Sequence, residues 1–263
     1  MKIVVCVKYV PDATAARTFN ASDRTVDRTS VPGLLSELDE HAIEAALTLA
    51  EAHGANVTAL TVGPSDAAAA VKKALQMGAD AGVHVVDDAI HGSDAIASSL
   101  VLAKALQKLG EAEPVDLVMC GMASTDGGMS VVPAMLAERL GYAQLTFAAS
   151  VEVSGDVVRI RRDAETATET IEAKLPAVVS VTDQANEPRY PSFKGIMAAK
   201  KKPVQTWSLA DLGVDASAVG LGAAWSSVVS YDARPPRQKG TIVTDDGSGG
   251  EALVRFLAEQ KFV

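Results

Sequence analysis

Over its first 140 residues the chain alternates short apolar runs with helix-patterned segments. Ile3-Val4-Val5-Cys6-Val7 is a continuous apolar run within residues 2–10, the pattern of a strand buried on both faces. A helix is predicted over about 37–53, with Leu38, Ala42, Ala46 and Leu49 as its apolar stripe. Ser36 or Asp39 is its expected cap and Gly54 its stop. A strand over 56–62, the turn Gly63-Pro64, a helix over 65–77 and a strand over 82–86 follow. Then come a helix over 93–109, a strand over 116–121 and a helix over 130–140. Gly78, Gly110 and Gly141 stand where helix C-caps are expected. Such alternation implies an α/β fold, a parallel sheet with helices on both faces joined by right-handed crossovers.

Beyond Gly141 the pattern changes. Residues 150–152, 157–162 and 169–173 read as a small antiparallel extension turning at Gly155-Asp156, and 175–182 as a strand returning to the main sheet. Residues 11–35 read as a long excursion with a polar turn or short hairpin. The chain divides into an α/β domain, 1–203, and an extended C-terminal tail, 204–263. Arg234-Pro235-Pro236-Arg237 suggests extended linker, and Leu253, Phe256 and Leu257 give the final helix, 251–261, an apolar face. A polar tail with one amphipathic end suits wrapping a partner; packing on its own domain is the alternative.

Composition excludes some function classes. A net charge of −9 lacks the basic excess that displaces counterions from nucleic acid. Cys6 and Cys120 lie in apolar runs without CxxC spacing, which argues against zinc, an iron–sulfur cluster or a disulfide framework and fits a reducing cytoplasm. No run reaches the roughly 20 apolar residues of a membrane span. No signal peptide is expected, because residues 3–7 are too short and Pro11-Asp12 follows.

Two segments carry chemistry. Residues 120–132, CGMASTDGGMSVV, join a strand end to a helix start, where ligands bind in doubly wound sheets. Gly127-Gly128 permits close backbone approach, and the helix N-terminus offers N–H groups to a phosphate. The same residues read equally as a glycine-rich turn capped by Ser130. The second segment is 186–202, NEPRYPSFKGIMAAKKK. Pro188 and Pro191 forbid a helix interior, Ser192 is a candidate N-cap, and Lys200, Lys201 and Lys202 complement the helix dipole before Pro203. A projecting loop with a large apolar side chain near its tip is expected, although a solvated lysine face is the bland reading.

That second segment resembles the recognition loop of the electron transfer flavoprotein beta subunit (FixA) family: NEPR, an aromatic, an apolar anchor, then I-M-x-A-K-K-K. The resemblance covers nearly the whole chain, through KIVVCVKYVPD, GMASTDGG, LPAVVSVTD and LADLG in order. It implies an adenine-nucleotide α-hydrolase-like fold and a heterodimer whose alpha subunit carries the redox-active FAD. It also implies electron flow from flavin dehydrogenases, typically acyl-CoA dehydrogenases of fatty acid oxidation, to a membrane quinone oxidoreductase. The implied docking residues are Arg189, Tyr190, Phe193 (at the anchor position), Ile196, Met197 and Lys200–Lys202.

The resemblance further implies AMP held at the glycine turn by Gly121, Met122, Asp126, Gly127, Gly128, Met129, Ser130, Val131 and Val132. Cys6, Val7, Ser36, Leu38, Asp39 and Val62 would form the other walls. Relatives that bifurcate electrons hold a second FAD there, with the pattern DGDTAQVGP. Here Asp126, Gly127 and Val132 match, while Met129 and Val131 replace a Thr and a Gln. Residues 130–132 also depart from the polar N-Q-T run of many AMP-type members. The departure leaves Ser130 and backbone N–H groups for the phosphate.

No catalytic constellation is visible: Ser124-Thr125-Asp126 has no linked histidine, and His91-Gly92-Ser93-Asp94 reads as a helix cap at Ser93. A carrier subunit fits this absence. The competing class is a stand-alone nucleotide-sensing protein of universal-stress type, with the same sheet but no use for the 186–202 loop.

Overall fold

The computed structural model describes residues 1–233, 235–237 and 239–263. Its centre is strand β1 (Lys2–Cys6), followed by a small antiparallel pair, β2 (Tyr9–Pro11) and β3 (Gly33–Leu35), that closes the 11–35 excursion. The alternation then proceeds as α1 (Glu37–His53), β4 (Asn56–Val62), α2 (Ala68–Met77), β5 (Ala81–Val85), α3 (Ala95–Ala112), β6 (Leu117–Gly121) and α4 (Val132–Leu140). Next come β7 (Ala143–Ala148), the antiparallel β8 (Ser150–Ser154), β9 (Val157–Asp163) and β10 (Thr168–Lys174), and then β11 (Ala177–Val181). The chain ends with α5 (Phe193–Ala199), β12 (Val204–Trp207) and α6 (Gly249–Glu259).

The main sheet runs β12-β5-β4-β1-β6-β11-β7, and every neighbouring pair is parallel. The two-residue period of a strand sends Ile3 and Val5 to one face and Val4 to the other. On the first face Val57, Ala59, Leu117 and Met119 meet Ala42, Ile43 and Ala46 of α1 and Val71 and Ala74 of α2. On the second, Leu60, Val83, Val118 and Val178 meet Ala97, Val101 and Leu106 of α3 and Leu136 of α4. Both sides of the sheet are therefore dry, which explains the unbroken apolar runs. Alanines on the helices let them approach closely, and each fully buried leucine or isoleucine contributes about 1.5–3 kcal/mol.

The expected α/β architecture is present, with local corrections. Gly54 and Gly141 cap α1 and α4 in the left-handed conformation, but Gly110 lies inside α3, which runs on to Ala112. Asp94, not Ser93, caps α3 by accepting the Ala97 N–H at 3.0 Å; Ser93 instead accepts from the Gly220 N–H at 2.7 Å. Ser130 does not cap α4, which starts two residues later. Ser36 stands at the N-terminus of α1 without a side-chain cap bond.

Residues 204–227 differ from the tail expected of them. β12 adds a parallel edge strand against β5, and Leu209, Leu212, Val214 and Val219 are buried in the second core cluster. The chain forms two compact units, Met1–Ser227 and Val228–Val263. In the second, Asp245 accepts from the N–H groups of Gly247 and Gly249 at the start of α6. That helix carries exposed Leu253, Val254 and Phe256. Of the proline-rich stretch expected to be linker, Arg234 lies outside the described residues. Among the described residues no helix is long and apolar enough to cross a membrane.

Candidate functional site

β1 and β6 end side by side at the centre of the sheet, and the turn after β6 folds over their C-terminal ends. Ser124 shapes that turn: its carbonyl accepts from the Gly128 N–H at 3.0 Å and its hydroxyl from the Gly127 N–H at 3.2 Å. Gly128 has φ +63°, and a side chain there would enter open space. Ser130 also adopts a left-handed φ, +58°. The first-turn N–H groups of α4 have no partner inside the helix, as at any helix start.

Asp126 organises the electrostatics. Lys8 Nζ donates to its Oδ1 at 2.9 Å, and the Arg28 guanidinium lies 2.6 Å from its Oδ2. Burial alone raises this carboxyl's pKa, but Lys8 and Arg28 outweigh it and hold the group well below the usual carboxylate range. Arg17 donates to the carbonyl oxygens of Thr125 and Asp126. Lys8, Arg17 and Arg28 thus converge on one turn and outnumber its carboxylate, which favours an anionic ligand. The sequence reading missed all three. Arg17 and Arg28 sit in the 11–35 excursion, and only its folding back brings them more than 95 residues along the chain to Asp126.

Of the expected walls, Cys6 ends β1 with Val7 next in the chain, Val62 ends β4, and Ser36, Leu38 and Asp39 stand at the start of α1, where Asp39 is engaged by protein. It is buried, and its Oδ2 accepts the Lys8 N–H at 2.8 Å. A Cβ on Gly121 would stand 2.6 Å from Asp39 Oδ1 and 2.8 Å from the Leu38 carbonyl, so Gly121 admits the α1 N-terminus onto β6. Burial pushes the Asp39 carboxyl up to about 7, against the Lys8 hydrogen bond and charge. Met122, Val131 and Val132 are half-buried, and Met129 is 59% exposed. The buried hydroxyls of Ser36 and Thr125 have no hydrogen-bond partner in the protein. Unmet buried polar atoms leave hydrogen bonds for a polar ligand to complete.

Cys6 and Cys120 are free thiols, and the neighbouring Cys6 thiol together with burial raises the pKa of Cys120. Among the described residues no group of three or more His, Cys, Asp or Glu side chains could hold a metal. A shallow hollow between α3 and α4, crossed by Arg139, is mostly apolar.

The 186–202 loop forms the second candidate surface. Ser192 caps α5, accepting the Gly195 N–H at 3.0 Å. Tyr190 is 92% and Phe193 81% exposed, with Ile196 and Met197 partly exposed behind them. Lys200 and Lys201 are exposed. Two expected docking cations are not free. Lys202 Nζ donates to the carbonyls of Leu75 and Gly78 at the end of α2, and Arg189 is paired with Glu44 and Glu51 of α1.

The electron transfer flavoprotein domain profile matches residues 23–212. The chain is 45% identical over 266 residues to an electron transfer flavoprotein subunit beta of Mycobacterium tuberculosis, covering 99% of each. It is 35% identical to one of Clostridium acetobutylicum, covering 100% of each. Protein FixA of Azorhizobium caulinodans is 35% identical, with 99% of this chain and 95% of that protein covered. With the parallel sheet, the glycine turn and the exposed loop in place, this chain belongs to the electron transfer flavoprotein beta-subunit (FixA) family.

Proposed function

We propose that the chain is the scaffold and docking subunit of a heterodimeric electron carrier, without a reaction of its own. It pairs with an alpha subunit whose FAD stores the electrons in transit. Flavin dehydrogenases, acyl-CoA dehydrogenases among them, deliver the electrons, and a membrane quinone oxidoreductase removes them. The setting is the cytoplasm. AMP is the ligand of the glycine turn. Lys8, Arg17, Arg28 and the α4 N-terminus supply positive potential for its phosphate, and Ser36 and Thr125 supply unmatched hydroxyls. The turn lacks the Thr and Gln of the pattern that accompanies a second FAD, having Met129 and Val131, which favours the smaller nucleotide.

The observation that carries the docking reading is Phe193, 81% exposed at the start of a capped helix and followed by lysines. A large apolar side chain held in water is costly unless a partner covers it, and aromatic anchors dominate such encounters. Nearby positive charge speeds association more than it strengthens the complex. Phe193→Ala should therefore lower dehydrogenase-dependent reduction of the heterodimer, by about 2 kcal/mol of binding or roughly 30-fold in affinity. FAD content and melting temperature should stay unchanged. A sharply lowered melting temperature with an unchanged rate would make Phe193 a packing residue and end this reading.

A further inference from the structure

We infer that Arg189 is a positioning residue, clamped between Glu44 and Glu51 of α1 so that the 186–202 loop is set in its docking shape before a partner arrives. The inference rests on the docking reading above and assigns Arg189 a role different from partner contact. Its backbone N–H and Nε both donate to Glu44 Oε2, at 3.0 and 2.8 Å, and a terminal nitrogen donates to Glu44 Oε1 at 2.9 Å. The other terminal nitrogen donates to Glu51 Oε1 at 2.5 Å. Glu44 and Glu51 lie seven residues apart, two turns along one face of α1, and the planar guanidinium spans them. A lysine has no fork for two carboxylates. The Glu44 side chain is only 11% exposed, so that half of the clamp is poorly screened by solvent; the Glu51 half is exposed and weaker.

Other bonds act in the same direction. Asn186 Nδ2 donates to the His41 carbonyl at 3.0 Å, and the His41 Nδ1 lies 3.0 Å from the Asn186 carbonyl. At the far end Lys202 caps α2, and Gly195 sits so close that a Cβ would stand 2.6 Å from the Gln76 carbonyl. The loop is thus pinned to α1 at its start and to α2 at its end. Tyr190 and Phe193 project between the pins. A loop already ordered does not lose that freedom at each encounter, which matters for a carrier whose contacts are brief.

The test uses the FAD-loaded heterodimer and a purified flavin dehydrogenase that reduces the wild type. Arg189→Ala and the double variant Glu44→Gln/Glu51→Gln are compared with Phe193→Ala. Both clamp variants are expected to raise the apparent KM for the heterodimer as electron acceptor about tenfold, through lost preorganisation, with kcat and FAD content unchanged. Amide hydrogen exchange at 187–199 should quicken in both, without a change at the sheet. If Arg189→Ala raises KM but Glu44→Gln/Glu51→Gln does not, Arg189 touches the partner directly and the inference fails. It fails too, with the docking reading intact, if only Phe193→Ala acts. If Phe193→Ala has no effect, the docking reading falls and this inference falls with it.

Discussion

Asp39 and Asp126 share Lys8 as a neighbour yet titrate in opposite directions. Asp126 has Arg28 as a second cation and stays ionised. Asp39 is fully enclosed, and burial lifts its carboxyl from 3.8 to about 7. A carboxyl raised on folding binds its proton more tightly in the folded state. Its contribution is complete below pH 3.8 and is lost as pH rises through about 7. Asp39→Asn is therefore expected to flatten the fall in melting temperature between about pH 4 and 7, by up to roughly 1.4 kcal/mol for each pKa unit removed. Parallel melting curves for the two proteins across that range would show Asp39 is not the titrating group. Gly128 presents a different single-residue constraint, a left-handed φ with open space beyond its Cα. Gly128→Val should lower the AMP recovered from denatured heterodimer, because a β-branched side chain resists that φ and would occupy the space offered to phosphate. Wild-type AMP content in that variant would remove the turn from the site.

At the scale of elements, the docking of α1 on β6 controls where the strand ends lie. Gly121 makes that approach possible, since an added methyl would meet the Leu38 carbonyl at 2.8 Å and Asp39 Oδ1 at 2.6 Å. Gly121→Ala is expected to destabilise the fold by about 1–3 kcal/mol through overpacking, read as a shift in the urea midpoint. An unshifted midpoint would mean α1 can retreat freely. Helix starts were less legible than helix existence. Ser93 and Asp94 are both good caps on paper, and only Asp94 faces the Ala97 N–H. β7 was not anticipated, because Gln144 and Thr146 interrupt its apolar residues and its place beside β11 comes from tertiary pairing. β12 was hidden for a similar reason: four partly exposed residues become a strand only because β5 offers an edge.

At the scale of the whole chain, residues 1–227 contain both core clusters, the glycine turn and the exposed 186–202 loop. Val228–Val263 has its own small set of contacts and an amphipathic helix with exposed apolar residues. A protein truncated after Ser227 is expected to unfold cooperatively within a few degrees of the full chain's melting temperature, while losing stable association with the alpha subunit. Limited proteolysis of the full chain should cut first within 228–248. Loss of cooperative unfolding on truncation would show that the second unit completes the first core.

Periodicity and resemblance together were enough for the parallel α/β architecture, the glycine turn and the apolar tip of the loop, because these depend on neighbours a few residues apart. Burial of both sheet faces demands unbroken apolar strands, and a strand–helix alternation supplies most of their crossovers. The tertiary structure decided the partners of charged groups. Arg189 and Lys202 look like steering charges in a basic loop, yet they are held by Glu44, Glu51 and the end of α2. Lys8, Arg17 and Arg28 look scattered, yet they meet at Asp126. Charge pairing acts over a few ångströms in space, so a sequence separation above 95 residues leaves no local pattern to mark it.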